Sequence, residues 1–159
     1  MFCQAIVLQP YRVRTIREQK KTIMPTDLIT AYQNTNYIVQ DAAESFTLKV
    51  NSRSKELNNL YQKNNKNTAA FISAFNPYSQ VTSVEQNIQA HTKLSKRTTA
   101  KYYTVYQGYG VDPTGEWTPE KSLLLLGISF LDACQLGIYF QQNAILFADK
   151  KAIPRLIFF

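Results

Sequence analysis

The pattern of hydrophobic and polar positions along the 159-residue chain predicts strands and helices that largely alternate. Apolar residues at helical spacing predict helices near residues 27–33, 52–63, 82–97 and 129–140. Short apolar or alternating runs predict strands near residues 36–40, 46–50, 69–75, 102–109, 123–128 and 144–148, with a further edge strand at 154–159. Alternation of strands and helices usually gives a sheet of mainly parallel strands. We therefore expect a single α/β domain with a mixed, mainly parallel sheet and three main helices packed on it.

Residues 71–87 are the most informative stretch, because an apolar strand ends there at an Asn-Pro turn and a helix begins soon afterwards. Thr82 and Glu85 have the spacing of a capping box. Ser129 precedes a later helix in the same way, directly after another apolar strand. The carboxyl ends of parallel strands meet at one edge of a sheet, so we expect these two junctions to lie side by side. The helix N-termini would then offer backbone N–H groups to an anion.

The polar and aromatic side chains expected at this edge predict a site for a phosphorylated or nucleotide-like small molecule. The candidate ligand-binding residues are Asn76, Ser79, Ser83, Glu85, Asn87, Trp117, Glu120 and Ser129. Asparagine and serine side chains can both donate and accept hydrogen bonds, and the two glutamates are the best candidates for acid or base chemistry. An aromatic ring could provide a stacking face. No catalytic residue is assigned, and whether the protein is an enzyme stays open.

Each of these residues also has a purely structural alternative. The Asn76 side chain can satisfy the backbone of its own turn, which is a common use of asparagine before proline. Glu85 can complete the capping box, and Trp117 can anchor a loop or the core. The glycines need only supply turn dihedrals, since no glycine-rich phosphate-binding motif is present. No cofactor is therefore identified from the sequence.

The net charge of +7 raises the question of nucleic acid. Residues 12–21 hold much of the excess, and a second basic group, Lys93, Lys96, Arg97 and Lys101, lies at the end of a predicted helix. Cations are stabilising at that position in any helix. Nucleic-acid binding is therefore the third hypothesis.

The second hypothesis is a protein-interaction module that pairs through an edge strand or through Tyr102, Tyr103, Tyr106 and Tyr109.

The remaining features limit the location and the chemistry. Residues 1–23 are predicted to be a basic extension, and residues 24–159 to form the domain. Two cysteines far apart in sequence are typical of a reduced, cytoplasmic protein. No apolar run approaches the roughly 18 to 20 residues of a membrane span, so we expect no membrane association. A single histidine without partner ligands gives no metal site.

A set of ordered motifs runs through the predicted domain. They are Ala31-Tyr32 with Thr35 and Tyr37, Phe71 to Ser79, Glu85 with Asn87, Gly115 to Trp117, Glu120 to Ser122, Leu126 to Ser129, and Gln142 to Ile145. Together these motifs resemble DUF3293, a bacterial family of unknown function, over about residues 28–147. The resemblance implies a small bacterial cytoplasmic protein. It implies no activity, substrate or catalytic residue, so it adds nothing to the site residues.

Overall fold

The computed structural model describes residues 25–42, 44–101 and 103–159. The predicted basic extension, residues 1–23, lies outside the described residues, as does Tyr102 of the predicted tyrosine patch. The elements in chain order are α1 Thr26–Asn34, β1 Asn36–Gln40, β2 Phe46–Leu48, α2 Lys55–Asn64, β3 Ala69–Ser73, a 3₁₀ turn Pro77–Ser79, α3 Val84–Thr99, β4 Thr104–Val111, β5 Glu120–Leu126, α4 Phe130–Tyr139, β6 Ala144–Ala148 and β7 Arg155–Phe158.

The seven strands form one curled sheet in the order β2-β1-β4-β5-β3-β6-β7, with four α-helices packed on it. Every hydrogen-bonded pair of neighbouring strands is antiparallel. The predicted mixed, mainly parallel sheet is therefore wrong, although the predicted helices and strands themselves are present.

The error has a simple topological cause. The units β3-α3-β4 and β5-α4-β6 each join two strands that run in the same direction, as a helical crossover predicts. However, β5 lies between β3 and β4, and β3 lies between β5 and β6. The two units are interleaved, so each strand bonds to a strand of the other unit that runs the opposite way. The alternation of elements in the sequence does not distinguish this arrangement from a parallel sheet.

The core lies on both faces of the sheet, because the side chains of the central strands alternate between two buried clusters. On β3, Ala69 and Phe71 face the cluster that includes α2, whereas Ala70 and Ile72 face the cluster that includes α3 and α4. On β5, Leu124 and Leu126 belong to the first cluster and Leu123 and Leu125 to the second. Burial on both faces explains why β3 and β5 are continuously apolar.

Antiparallel pairing of β3 with β5 defines two separate ends of the sheet. Ser73 pairs with Ser122, so the loop that follows β3 leaves the sheet where β5 begins; we call this the Asn76 end. The chain leaves β5 at the opposite end, which we call the Ser129 end. The paired segments have five residues at about 3.4 Å per residue, so roughly 14 Å of strand separates the two ends. The two junctions that we expected side by side are therefore apart.

Candidate functional site

The loop between β3 and α3 contains three non-glycine residues with a left-handed backbone. They are Asn76 with φ of 47°, Tyr78 with φ of 53° and Ser79 with φ of 58°. A left-handed conformation costs an L-residue on the order of 1–2 kcal/mol, less for asparagine, and it persists where surrounding contacts fix it. One such contact is a hydrogen bond of 2.6 Å that the Tyr78 N–H donates to the Gln141 carbonyl. Gln141 is itself left-handed, with φ of 54°.

Two asparagine side chains hold the first of these residues in place. The backbone N–H of Asn76 donates to Asn87 Oδ1 at 2.8 Å, and Asn87 Nδ2 donates to Asn76 Oδ1 at 2.9 Å. Thr82 completes the network, because its hydroxyl donates to Asn87 Oδ1 at 2.9 Å and its N–H donates to Asn76 Oδ1 at 3.1 Å. Asn87, near the start of α3, is buried. The polar atoms of this network satisfy one another, as buried polar groups require.

The same asparagine connects the loop to a carboxyl group. Asn76 Nδ2 donates to Glu120 Oε1 at 2.6 Å, and this bond joins the loop after β3 to the first residue of β5. Burial raises the pKa of Glu120 above its ordinary value, and the hydrogen bond from Asn76 offsets only part of that rise. Among the residues that the structure describes, only Asn76 makes a hydrogen bond to this carboxyl. Glu120 therefore has one oxygen held by Asn76, and its other oxygen makes no hydrogen bond to the described residues.

Asn76, Thr82, Asn87 and Glu120 together form what we call the Asn76 cluster. Ser79 lies at the exposed side of this cluster, between two polar side chains from distant parts of the sequence. Its Oγ lies 2.9 Å from the Tyr32 hydroxyl and accepts a hydrogen bond of 2.9 Å from Asn143 Nδ2. Burial raises the pKa of Tyr32, and the nearby charge of Glu120 adds to the rise, although the bond to Ser79 opposes it. The phenol of Tyr32 therefore stays protonated at neutral pH.

Helix α1 places Tyr32 over the Asn76 end. The Tyr37 hydroxyl of β1 donates to the Tyr32 carbonyl at 2.7 Å. The Tyr32 ring also packs edge-on against Phe158 of β7, with 6.3 Å between the ring centroids. Contacts from both β1 and β7 thus fix Tyr32 next to Ser79.

Of the candidates from the sequence, the structure joins Asn76, Asn87 and Glu120 in one network. Ser79 is next to them, because its N–H donates to the Asn76 carbonyl at 2.8 Å. The other candidates have other surroundings. Ser83 caps α3, and its capping box uses Gln86. The predicted box of Thr82 with Glu85 is thus displaced by one residue. Thr82 belongs to the asparagine network instead, and Glu85 is exposed.

Trp117 and Ser129 also lie outside the cluster. Trp117 is 50% exposed in the connection between β4 and β5. Ser129 lies at the opposite end of the sheet, where its Oγ accepts from the N–H of Asp132 at 3.0 Å and caps α4, as the sequence predicts. A site that combines Ser129 with Asn76 is therefore excluded by the direction of β5.

Tyr32, Thr82 and Asn143 were not among the site residues predicted from the sequence. They come from α1, from the loop before α3 and from the turn before β6, so spacing along the chain does not connect them. The sequence does contain a signal that two of these residues belong to the site. Tyr32 and Asn143 belong to the motifs that carry the family resemblance, and both motifs fall at the Asn76 end.

Among the described residues, no three His, Cys, Asp or Glu side chains are grouped so as to hold a metal ion. Within the same residues, no helix has the length and apolar character needed to cross a bilayer. Two pockets of this part of the chain, one between α3 and α4 and one lined by residues such as Leu48, Leu57 and Phe71, lie away from the Asn76 cluster. The cluster is thus a polar surface at the end of the sheet.

Comparison with known proteins gives one match. Residues 72–145 match the model of the family described as "Protein of unknown function (DUF3293)", which confirms the resemblance over that segment. The matched segment contains Asn76, Ser79, Asn87, Glu120 and Asn143, whereas Tyr32 precedes it. No curated protein and no solved structure matches the chain.

Proposed function

Starting from a DUF3293 segment that brings no assigned activity, we propose that the protein binds a nucleoside-like small molecule at the Asn76 end. The observation that carries the proposal is the left-handed backbone of Asn76, Tyr78 and Ser79, with Asn76 fixed by a part-buried polar network. Strained backbone that its surroundings fix is concentrated at binding and catalytic sites. Here it presents Ser79 and the ring of Tyr78 at the surface.

The groups at the surface of the cluster suit a ligand rich in hydroxyl and amide groups. Ser79 and the Glu120 carboxyl can accept hydrogen bonds, and the Tyr32 phenol can donate one. Tyr78 is 56% exposed, so its ring is available to stack on a planar base. A nucleoside combines a planar base with ribose hydroxyls, and it uses both kinds of contact.

The electrostatics of the cluster favour an uncharged ligand over a phosphorylated one. The charged group that bonds to Asn76 is the Glu120 carboxyl, which would repel a phosphate. The N-terminus of α3 is already occupied by the Ser83 capping box. We therefore propose the nucleoside part of the nucleotide-like ligand that the sequence suggested, in a protein of the bacterial cytoplasm as the resemblance implies.

The tyrosine-patch form of the interaction hypothesis is weakened by the position of its strand. β4, which carries Tyr106 and Tyr109, lies between β1 and β5 and is not an edge strand. Tyr103, Tyr106 and Tyr109 are partly buried. Pairing through the true edge strands, β2 and β7, stays a prediction, and light scattering over a range of protein concentrations tests it.

A thermal-shift screen tests the proposed function directly. The four ribonucleosides and their 5′-monophosphates are compared at equal concentration and ionic strength. A specific ligand at a hundred times its dissociation constant should stabilise the protein by about 2.7 kcal/mol. We expect at least one nucleoside to raise the melting temperature more than its monophosphate does.

Substitutions then test whether the ligand binds at Ser79 and Tyr78. Ser79→Ala and Tyr78→Ala should each abolish most of the ligand-induced shift. Ser45→Ala is the matched control, because Ser45 is exposed and lies in the β1–β2 connection, at the opposite end of the sheet. Equal shifts in Ser79→Ala and Ser45→Ala, or no shift with any nucleoside, would reject the proposal.

A further inference from the structure

A pocket of about 40 Å³ lies at the Ser129 end, between the last turns of α3 and the first turns of α4. The two helices run in opposite directions between the ends of the sheet, which brings these turns together. The residues that line the pocket are Arg97, Lys101, Tyr103, Asp132, Gln135 and Leu136. Five of these six side chains are charged or can form hydrogen bonds, and Leu136 is the exception, so the wall of the pocket is mostly polar.

The single carboxylate of the pocket is already well satisfied. Asp132 Oδ2 accepts from Ser129 Oγ at 2.8 Å, and Lys101 Nζ lies 3.4 Å from Asp132 Oδ1. The bond from Ser129, followed by the contacts of Lys101 and Tyr103, lowers the pKa of Asp132 below its ordinary value. Asp132 is thus ionised at neutral pH, and its charge offsets that of Lys101.

The charge of Arg97 is not offset in the same way. Among the residues that the structure describes, Lys101 and Asp132 form the one ion pair. The guanidinium of Arg97 lies 4.4 Å from the centre of the Tyr139 ring, and Lys93 Nζ lies 4.9 Å from the same centre. Two cations therefore share one aromatic ring beside the pocket, and the local charge is positive.

The volume of the pocket limits what it can hold. One water needs about 10–15 Å³ of such space, so about 40 Å³ admits a group of a few heavy atoms, the size of a phosphate. The planar fork of an arginine suits two oxygens of one phosphate or carboxylate group. The amide of Gln135 can donate a further hydrogen bond from α4.

From this arrangement we propose that the pocket between α3 and α4 binds the phosphate group of a small phosphorylated molecule, with Arg97 as its principal contact. The site is separate from the Asn76 end, and it does not depend on the function proposed there. It gives the basic residues at the end of α3 a specific role, in place of general attraction to nucleic acid.

Titration with inorganic phosphate, followed by amide chemical shifts, tests this proposal. Sodium chloride at matched ionic strength is the reference for general salt effects, and acetate is the reference for a carboxylate. We expect saturable shifts for residues around the pocket with phosphate, weaker shifts with acetate and none with chloride. Shifts of equal size and position in all three salts would overturn the proposal.

Charge-matched variants separate a specific site from a diffuse basic surface. Arg97→Gln should weaken phosphate binding at least tenfold, and Arg97→Lys, which keeps the charge and loses the fork, should weaken it less. Lys96→Gln removes the same charge from an exposed neighbour outside the pocket and should change the affinity less than twofold. Arg97 is exposed, and unchanged melting temperatures without phosphate verify that each variant is folded.

Two results would contradict the proposal. Equal weakening by Arg97→Gln and Lys96→Gln would show a diffuse effect of charge. A short single-stranded RNA that binds more tightly than phosphate, and that loses affinity equally in both variants, would show an extended nucleic-acid surface.

Discussion

The junction from β3 to α3 and the junction from β5 to α4 both end in a serine that caps the helix, yet their backbones differ. The second junction has three residues, and Gly127, with φ of 81°, takes its left-handed position. The first has ten residues, and asparagine, tyrosine and serine take three left-handed positions. Glycine adopts such angles at little cost, whereas the other residues need support.

This difference agrees with the function proposed for the Asn76 end. A turn that only reverses the chain can rely on glycine, as the short junction does. The long junction instead keeps side chains at its left-handed positions. Asn87 and Glu120 hold Asn76, the Gln141 carbonyl holds the Tyr78 backbone, and Tyr32 and Asn143 hold Ser79. Supported side chains at these positions are what the binding site proposed for this end requires. Four sets of substitutions test this comparison, beginning with the one of largest expected effect.

Removal of the central asparagine should destabilise the protein most. Asn87→Ala eliminates the bonds to the Asn76 backbone, the Asn76 side chain and Thr82. We expect a loss of about 2–4 kcal/mol in the free energy of unfolding, because buried partners are left unsatisfied. Chemical denaturation measures the loss. Asn59→Ala, at an exposed position of α2, is the control and should stay within about 0.5 kcal/mol of the parent. A loss as small as that of the control would show that the network does not support the loop.

A pair of substitutions at Asn76 separates the backbone from the side chain. Asn76→Ala and Asn76→Gly both remove the amide, but only glycine adopts the left-handed angle freely. We therefore expect the alanine variant to be less stable than the glycine variant by about 1 kcal/mol. Gly127→Ala, at the short junction, should lower the free energy of unfolding by about 1–2 kcal/mol for the same reason. Equal stabilities of the two Asn76 variants in urea denaturation would argue against backbone strain.

The two caps should be alike, because the junctions share this feature. Ser83→Ala and Ser129→Ala each remove an N-cap hydrogen bond, and each should destabilise the protein by about 1 kcal/mol. Differential scanning calorimetry gives both values. An effect of Ser83→Ala several times larger than that of Ser129→Ala would show that Ser83 also supports the asparagine network.

The smallest effect is expected for Glu120→Gln, and it should depend on pH. Because burial raises the folded-state pKa of Glu120 above the unfolded value of about 4.5, the parent protein loses stability as pH rises through that interval. Glutamine keeps an oxygen for Asn76 and does not ionise. The variant should therefore be slightly more stable than the parent at pH 7, with the difference shrinking towards pH 4. A difference that does not vary with pH would contradict the buried charge.

The sequence was sufficient to predict the elements, because each carries a local signal. The strand at 36–40 and the strand at 144–148 have the predicted bounds, and the other elements differ by a few residues at their ends. Strand order is not a local property. Leu123 to Leu126 are apolar on both faces, as a central strand requires, and this pattern is the same for either direction of the neighbouring strand.

The candidate site was predicted in part for the same reason. Asn76 and Asn87 lie close in sequence, within one strand-to-helix junction, and local pattern was enough to select them. Glu120 was selected for its chemistry. Tyr32 and Asn143 reach Ser79 only through the tertiary fold, so their roles depend on the sheet order that local patterns do not contain.

The interleaved order of the strands also has a consequence for folding. The bonds at the Asn76 end join residues 44, 47 and 64 positions apart, so they close large loops of the chain. Long-range contacts of this kind form slowly, and in this arrangement they require α1, β5 and β6 to be in place together. A molecule bound there would slow hydrogen exchange across the whole sheet, because the site is lost whenever any one of those segments detaches.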